Sequence, residues 1–287
     1  MAKEKEARRP FNLKKEVKLL PGYIILLLWV IFTIALLGWV FGASFSTTAE
    51  IFQGKALKFE SGLHFENYAK AWNGAGVAGF FGNSLIYSVI SCTILILVCA
   101  PAAYVLSRFD FKCNKFLLLF FMLGMMVPVH TVLVPVSYII GALNLKNNIP
   151  ALVMIYVAFS LPFSILVVTN FMKGVNRSLE EAALIDGATY FQIYKNVMLP
   201  MTVPAISTIS IFNFLGAWNN ILFPLLFIND KNLKPIALGL LNFNGERGSD
   251  YGPLMAAIVI TVAVPLVIYL LFQEKVEGGL AAGAVKE

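Results

Sequence analysis

Few residues in this sequence are equipped for bond-making chemistry, and they do not converge. His64 and His130 are the only histidines, they lie in different regions, and no acid accompanies His130 in its apolar segment. An enzyme working at a membrane surface would need His, Asp and Glu clustered near an interface, and that cluster is missing. Cys92 and Cys99 fall about two helical turns apart on one segment, too far to bridge, and Cys113 stands separately. No ligand spacing for a metal and no disulfide framework emerges, so no metal is expected. The phosphate-binding pattern G-x-x-x-x-G-K-[ST] is absent: the one Gly-Lys pair, Gly54-Lys55, is followed by Ala56. The chain is therefore not expected to hydrolyse a nucleotide or to hold a cofactor of its own.

The elements that must position these scattered groups are membrane helices. Hydrophobic residues make up 59% of the 287 and charged residues only 13%, against roughly 25% charged in soluble domains. Six segments lack Lys, Arg, Asp and Glu: about Tyr23–Phe45, Phe80–Leu106, Phe116–Leu143, Ala151–Met172, Met201–Ile228 and Tyr251–Phe272. Each reaches the ~20 residues that a spanning helix needs. Prolines 101, 128, 135, 162, 224 and 265 fall inside them, which a membrane bundle tolerates because neighbours re-satisfy the freed carbonyls. Six spans put both termini on one side. About 15 of the 22 basic residues lie there, in the tails and in the loops around Arg108 and Lys173, so that side is expected to be the cytoplasm. The net charge of +6 reflects this bias. No aromatic-interleaved basic stripe points to a nucleic acid. The charged start followed by a span-length apolar run, with no clear small-residue cleavage site, does not read as a signal peptide. The expected organisation is a tail over 1–20, one six-helix domain over 21–272 and a tail over 273–287. The first outside loop, about 46–79, is expected to hold a short interfacial helix.

The most informative stretch is polar and lies between the fourth and fifth segments, in a loop over about 173–200. Ser178-Leu-Glu-Glu181 reads as a capping box, with the carboxylates of Glu180 and Glu181 at the positive end of a helix dipole. Ala182 to Ile185 continue this helix, and Gly187 stops it in a left-handed turn. Thr189-Tyr-Phe-Gln192 is a second capping box, and Pro200 and Pro204 end or kink the chain beyond it. On capping alone, a well-capped connecting loop and a docking hairpin are equally good readings.

The spacing favours the second. Glu181-Ala182-Ala183, then Gly187 four residues on, then Val197-x-Leu199-Pro200 resembles the EAA loop of permease subunits of ATP-binding-cassette importers, with Val for the customary Ile. Gly216-Ala-Trp218-Asn219-Asn220 followed by Phe223-Pro224 resembles a stretch of carbohydrate importers in which an acid is usual where Asn220 stands. Asn83-Ser84 at the start of the second segment is similar to these permeases. So is the tail Gly279 to Lys286, which is similar to that of the second permease subunit in maltose-type systems, with Glu287 where Gly is usual.

The resemblance implies an all-α inner-membrane permease of a prokaryote with six spans and a coupling helix in the hairpin. It implies a sister permease, two ATPase subunits that bind the ATP and Mg, an extracytoplasmic solute-binding protein and a sugar substrate. Glu181, Ala182, Ala183, Asp186, Gly187, Leu199 and Pro200 would couple to an ATPase, and Gly283 and Lys286 would reach the ATPase interface. Sugars are recognised by polar side chains beside aromatic faces, which makes Asn83, Tyr87, Asn213, Trp218, Asn219 and Asn220 candidates for the substrate pathway. Interhelical packing is at least as good a reading of each, and Trp218 can also be an interfacial anchor. His130, in a proline-kinked segment, reads first as a neutral hydrogen-bonded interhelical histidine and second as a pore or gate residue on the same pathway. No span carries a charged side chain, whereas ion-driven transporters use such groups as relays. A stand-alone secondary transporter is thus the weaker alternative, and a permease for a polyol or glycerol phosphate the nearer one.

Overall fold

The structure is a computed structural model that describes residues 13–245 and 248–284. It is helical throughout apart from a two-stranded antiparallel turn pairing Asn244–Gly245 with Gly248–Ser249. The chain runs α1 (Leu13–Ala43), α2 (Thr48–Phe52), α3 (Glu66–Ala69, continued by a π-helical turn Lys70–Gly74) and α4 (Val77–Arg108). Next come α5 (Asn114–Met125), α6 (Val129–Ala142), α7 (Ile149–Gly174), α8 (Ser178–Ile185) and α9 (Tyr190–Ile193). A π-helical stretch, Tyr194–Met198, joins α9 to α10 (Leu199–Met201), followed by α11 (Val203–Trp218), α12 (Leu222–Phe227), α13 (Ile236–Gly239) and α14 (Tyr251–Ala284).

Among the described residues, four helices are long and apolar enough to cross a membrane: Lys18–Ala43 of α1, α4, α7 and Tyr251–Gln273 of α14. The third and fifth apolar runs, expected as continuous spans, are broken. α5 and α6 meet at 99°, because Pro128 has no N–H to give and holds Val127 out of helical geometry. Thr131 Oγ1 then donates to the Pro128 carbonyl at 2.7 Å to start the new helix. The fifth run breaks again after Trp218, where the Phe223 N–H donates to Asn220 Oδ1 at 3.1 Å and starts α12. The sixteen residues of α11 rise only about 24 Å, short of the ~30 Å hydrocarbon core. Helix also extends into both segments expected as tails. Helix begins at Leu13, inside the basic tail, and α14 continues to Ala284, past the end of its apolar run.

α4, α7 and α11 pack together as the centre, α14 lies on α11, α5 on α7, and α1 touches mainly α14. Three buried clusters follow α4 along its length. Phe80 meets Trp218, Ile236 and Ala256. Tyr87 and Leu95 meet Leu152, Tyr156, Phe223 and Phe227. Cys99 and Tyr104 meet Val168, Met172, Ile193, Met198 and Ile209. Outward faces of α1, α5 and α14 are lined with exposed Leu, Ile, Val and Phe, as lipid or another apolar surface requires.

The loop after α1 holds two short helices rather than one, and it is tied down by polar contacts. Thr47 and Glu50 form a capping box on α2. Glu50 also accepts from the Ser61 N–H at 2.9 Å. Together the Thr47 and Ser61 backbone donors hold its carboxyl down at about 2, from an ordinary 4.5. Asn67 Nδ2 donates to the Ser44 and Ser46 carbonyls, both at 3.0 Å. Thr48 Oγ1 donates to Asp250 at 2.7 Å at the start of α14.

Candidate functional site

The polar hairpin stands at the Arg108 end of α4. α8 closes in a full Schellman motif: the Ala188 N–H donates to the Ala183 carbonyl at 2.9 Å and the Gly187 N–H to Leu184 at 3.0 Å. Gly187 takes φ +82° with nothing within 4 Å of where a Cβ would stand, so glycine serves the turn's backbone and relieves no crowding. Thr189 caps α9 as expected. The Gln192 N–H donates to Thr189 Oγ1 at 3.3 Å, and the Thr189 N–H donates to Gln192 Oε1 at 2.7 Å. The chain then bends 71° at Thr202 into α11.

The first capping box is not formed. The Ser178 N–H donates to Asn176 Oδ1 at 3.0 Å, and the residue preceding the helix, Arg177, makes no side-chain cap. Glu180 is drawn inward to an ion pair with Arg108, which leaves Glu181 exposed. The pair is nearly dry, with side-chain exposures of 6% for Arg108 and 12% for Glu180. Arg108 also donates to the Val175 carbonyl at 2.9 Å. Ile193 and Met198 are fully buried, and Tyr190 stacks edge-on to Phe109 at 5.2 Å. The hairpin is thus rooted in the bundle on one side. Its other side shows Glu181, Ala182, Leu184, Ile185, Asp186 and Phe191, with Ile185 86% and Phe191 71% exposed. Ala183 and Leu199 are half-buried against the bundle, and Pro200 is exposed.

The span residues do not form one site. Asn83 Nδ2 donates to the carbonyls of Asn232 at 2.7 Å and Lys234 at 3.0 Å, and the Tyr87 hydroxyl donates to Leu233 at 2.8 Å. Trp218 is fully buried, stacks on Phe214 at 5.8 Å and donates its indole N–H to the Thr261 carbonyl at 3.2 Å. Asn219 is exposed at the end of α11. His130 opens α6 and lines a cavity of about 720 Å³ with Ser137, Tyr138 and Lys146. Gly283 lies in the last turns of α14, and Lys286 lies outside the described residues.

Asn213 differs from these. Its amide donates to Ser91 Oγ at 3.2 Å, while its carbonyl oxygen is buried with no partner. It lines a cavity of about 350 Å³ between α7 and α11, with Ser160, Ser164, Phe159, Phe163 and Phe212. The lining is mainly aromatic and apolar, with Ser160 and Ser164 its other polar residues. Asn213 was among the residues expected along the pathway, and the α7 residues that share its cavity were not. The Phe159-Ser160 pair and the Phe163-Ser164 pair recur at i, i+4, the one pattern that could have revealed them.

Residues 95–281 match a family described as binding-protein-dependent transport system inner membrane component. The probable ABC transporter permease protein YurM of Bacillus subtilis is 35% identical over 92% of this chain and 87% of its own length. The diacetylchitobiose uptake system permease protein NgcG of Streptomyces coelicolor is also 35% identical, over 92% of this chain and 88% of its own. A chain in the crystal structure of a bacterial ABC transporter involved in the import of the acidic polysaccharide alginate superposes with a TM-score of 0.80. At 18% identity it covers 93% of this chain and 99% of that one, which establishes a shared fold.

Proposed function

The chain belongs to the binding-protein-dependent transport system inner membrane components, and we propose that it forms half of the pathway by which an ATP-binding-cassette importer admits a sugar or oligosaccharide. It is a permease subunit of a multi-pass inner-membrane transporter and not a catalytic enzyme. In this reading α5–α6 and α10–α11 each count as one bent span, giving six, with both termini and the hairpin in the cytoplasm. A sister permease completes the pathway, two ATPase subunits bind the ATP and Mg, and an external solute-binding protein delivers the substrate.

The observation that carries the coupling role is the hairpin itself. A charge-rooted, Schellman-closed helix presents Glu181, Ala182, Asp186 and the exposed Ile185 to one side. Small Ala182 lets a partner approach closely while Ile185 and Phe191 supply area to bury. Ala183, Leu199 and Pro200 set the angle between the hairpin and α11. Gly283 in the last turns of α14, and Lys286 beyond it in the sequence, are assigned to the same ATPase. For the substrate, the relatives' sugar-named systems and the Asn213 cavity together favour a neutral hydroxylated solute. Asn83, Tyr87 and Trp218 act by holding the pathway's walls, and His130 and Asn219 remain available to it.

The test is an affinity pull-down of the tagged chain from native membranes with mass spectrometry of what accompanies it. An ATPase, a second permease and a solute-binding protein are expected, and the binding protein then gives a direct sugar-binding assay. Recovery of the chain alone, still transporting in vesicles without ATP, would overturn the proposal.

A further inference from the structure

Beside the root of the hairpin, Lys112, Lys115, Lys173 and Arg177 line one cavity of about 680 Å³. The only carboxylate in its lining is Asp110, and none of the four cations has an ion pair among the described residues. The cavity lies where α4 and α7 end and α5 begins. Its wall is set by Asn114, whose amide donates to the Leu106 carbonyl at 3.2 Å and to Phe109 at 2.7 Å. A second cavity of about 430 Å³ adjoins it between α4 and α5, lined only by Pro101, Ala102, Val105, Leu117 and Phe121 together with Leu106 and Phe111. Leu106 and Phe111 line both. Past this groove α5 turns Phe116, Leu119 and Phe120 outward, each more than half exposed.

We infer that the two cavities form a single binding site for an anionic phospholipid, with its phosphate headgroup among the four cations and an acyl chain in the apolar groove. The charge balance selects an anion, and cations at the edge of an apolar surface are the arrangement that holds acidic headgroups. The apolar groove beside the cations, along α5, selects a lipid over a free anion or an acidic protein surface, neither of which would fill it. Bound there, the lipid bridges the α4–α5 turn to Lys173 and Arg177, the latter next to α8, and steadies the base of the hairpin. Only the leaflet that supplies the lipid rests on the orientation proposed above; the chemistry of the site does not.

Native mass spectrometry of the intact detergent-purified transporter, offered dioleoyl phosphatidylglycerol or dioleoyl phosphatidylcholine at equal concentration, tests this. Retention of the anionic lipid is expected to exceed that of the zwitterionic one about tenfold. The variant K112Q/K115Q/K173Q should lose the preference, K112R/K115R/K173R should keep it, and V105W, which fills the groove, should weaken it with the cations intact. Equal retention of the two lipids, or a preference that survives the glutamine substitutions, would overturn the site. Displacement of the lipid by millimolar inorganic phosphate would overturn it in favour of a free-anion site. Loss of the ATPase subunit from the glutamine variant with its lipid retained would overturn it in favour of a protein contact.

Discussion

The two ends of α4 are held in opposite ways. At the Asn83 end, neutral side chains grip a loop by its backbone. Asn83 donates to two carbonyls, Tyr87 to a third, and Ser84 Oγ accepts from the Ile236 N–H at 2.8 Å. At the Arg108 end, about 38 Å from Asn83 along the helix, a buried ion pair and apolar packing by Ile193 and Met198 join α4 to the hairpin, and large apolar side chains are left uncovered. Many short neutral bonds make a clamp that resists displacement in every direction. A charge pair set in apolar packing makes a joint with one directional polar contact and a non-directional remainder. On the function proposed above, the first end would close a wall and the second would take load from a partner.

Removing one partner of the joint should have the largest effect. Glu180→Ala leaves Arg108 charged and buried, a loss of about 3–5 kcal/mol, and uptake should cease while the protein still inserts. The exchange Arg108→Glu with Glu180→Arg should recover part of it. Wild-type uptake by Glu180→Ala would show that load does not pass through the pair. Next comes Gly187→Val, which places a β-branched residue at positive φ at a cost of about 1–2 kcal/mol. Uncoupled ATP hydrolysis with normal membrane levels is the expected readout. Gly187→Asn, which tolerates that conformation, should keep most of the activity.

The clamp should be more forgiving. Tyr87→Phe leaves the Leu233 carbonyl short of one donor, worth about 1 kcal/mol. Faster hydrogen exchange over residues 230–236 with nearly normal uptake is expected; a collapse of uptake would erase the distinction between the ends. The smallest effect concerns Glu50, in the loop after α1. Because its folded pKa lies near 2, below its ordinary 4.5, its stabilisation is complete above about 4.5 and fades as pH falls toward 2. Protection factors over residues 47–61, with exchange rates corrected for their intrinsic pH dependence, should fall between pH 5 and pH 3 in the wild type and stay constant in Glu50→Gln.

The membrane class, the approximate spans and the hairpin's second half were legible in the sequence, because apolar length, Gly187 and the Thr189–Gln192 box act locally. The breaks in the third and fifth runs were only half legible. Pro128 and Asn220 were visible, but the same residue types sit inside unbroken helices elsewhere, as Pro101 and Pro162 do in α4 and α7. What decides between kink and break is packing. Ser178 and Glu181 failed as a cap for a similar reason. Arg108, seventy-two residues before Glu180 in the numbering, competes for the neighbouring carboxylate, and no local pattern records that. Asn83 and Tyr87 were picked for their chemistry, yet their partners are backbone carbonyls about 150 residues away.

The spans of α4, α7, α11 and α14 carry no charged side chain between their polar ends, and this sets how the protein meets the membrane voltage. Moving one elementary charge through the membrane field changes the energy by ~2.3 kcal/mol per 100 mV. Helices that tilt or rotate without carrying such a charge do no work against that field. If transport rearranges these helices as proposed, their side chains add no gating charge, and a neutral cargo is expected to cross at the same rate in polarised and depolarised vesicles given equal nucleotide.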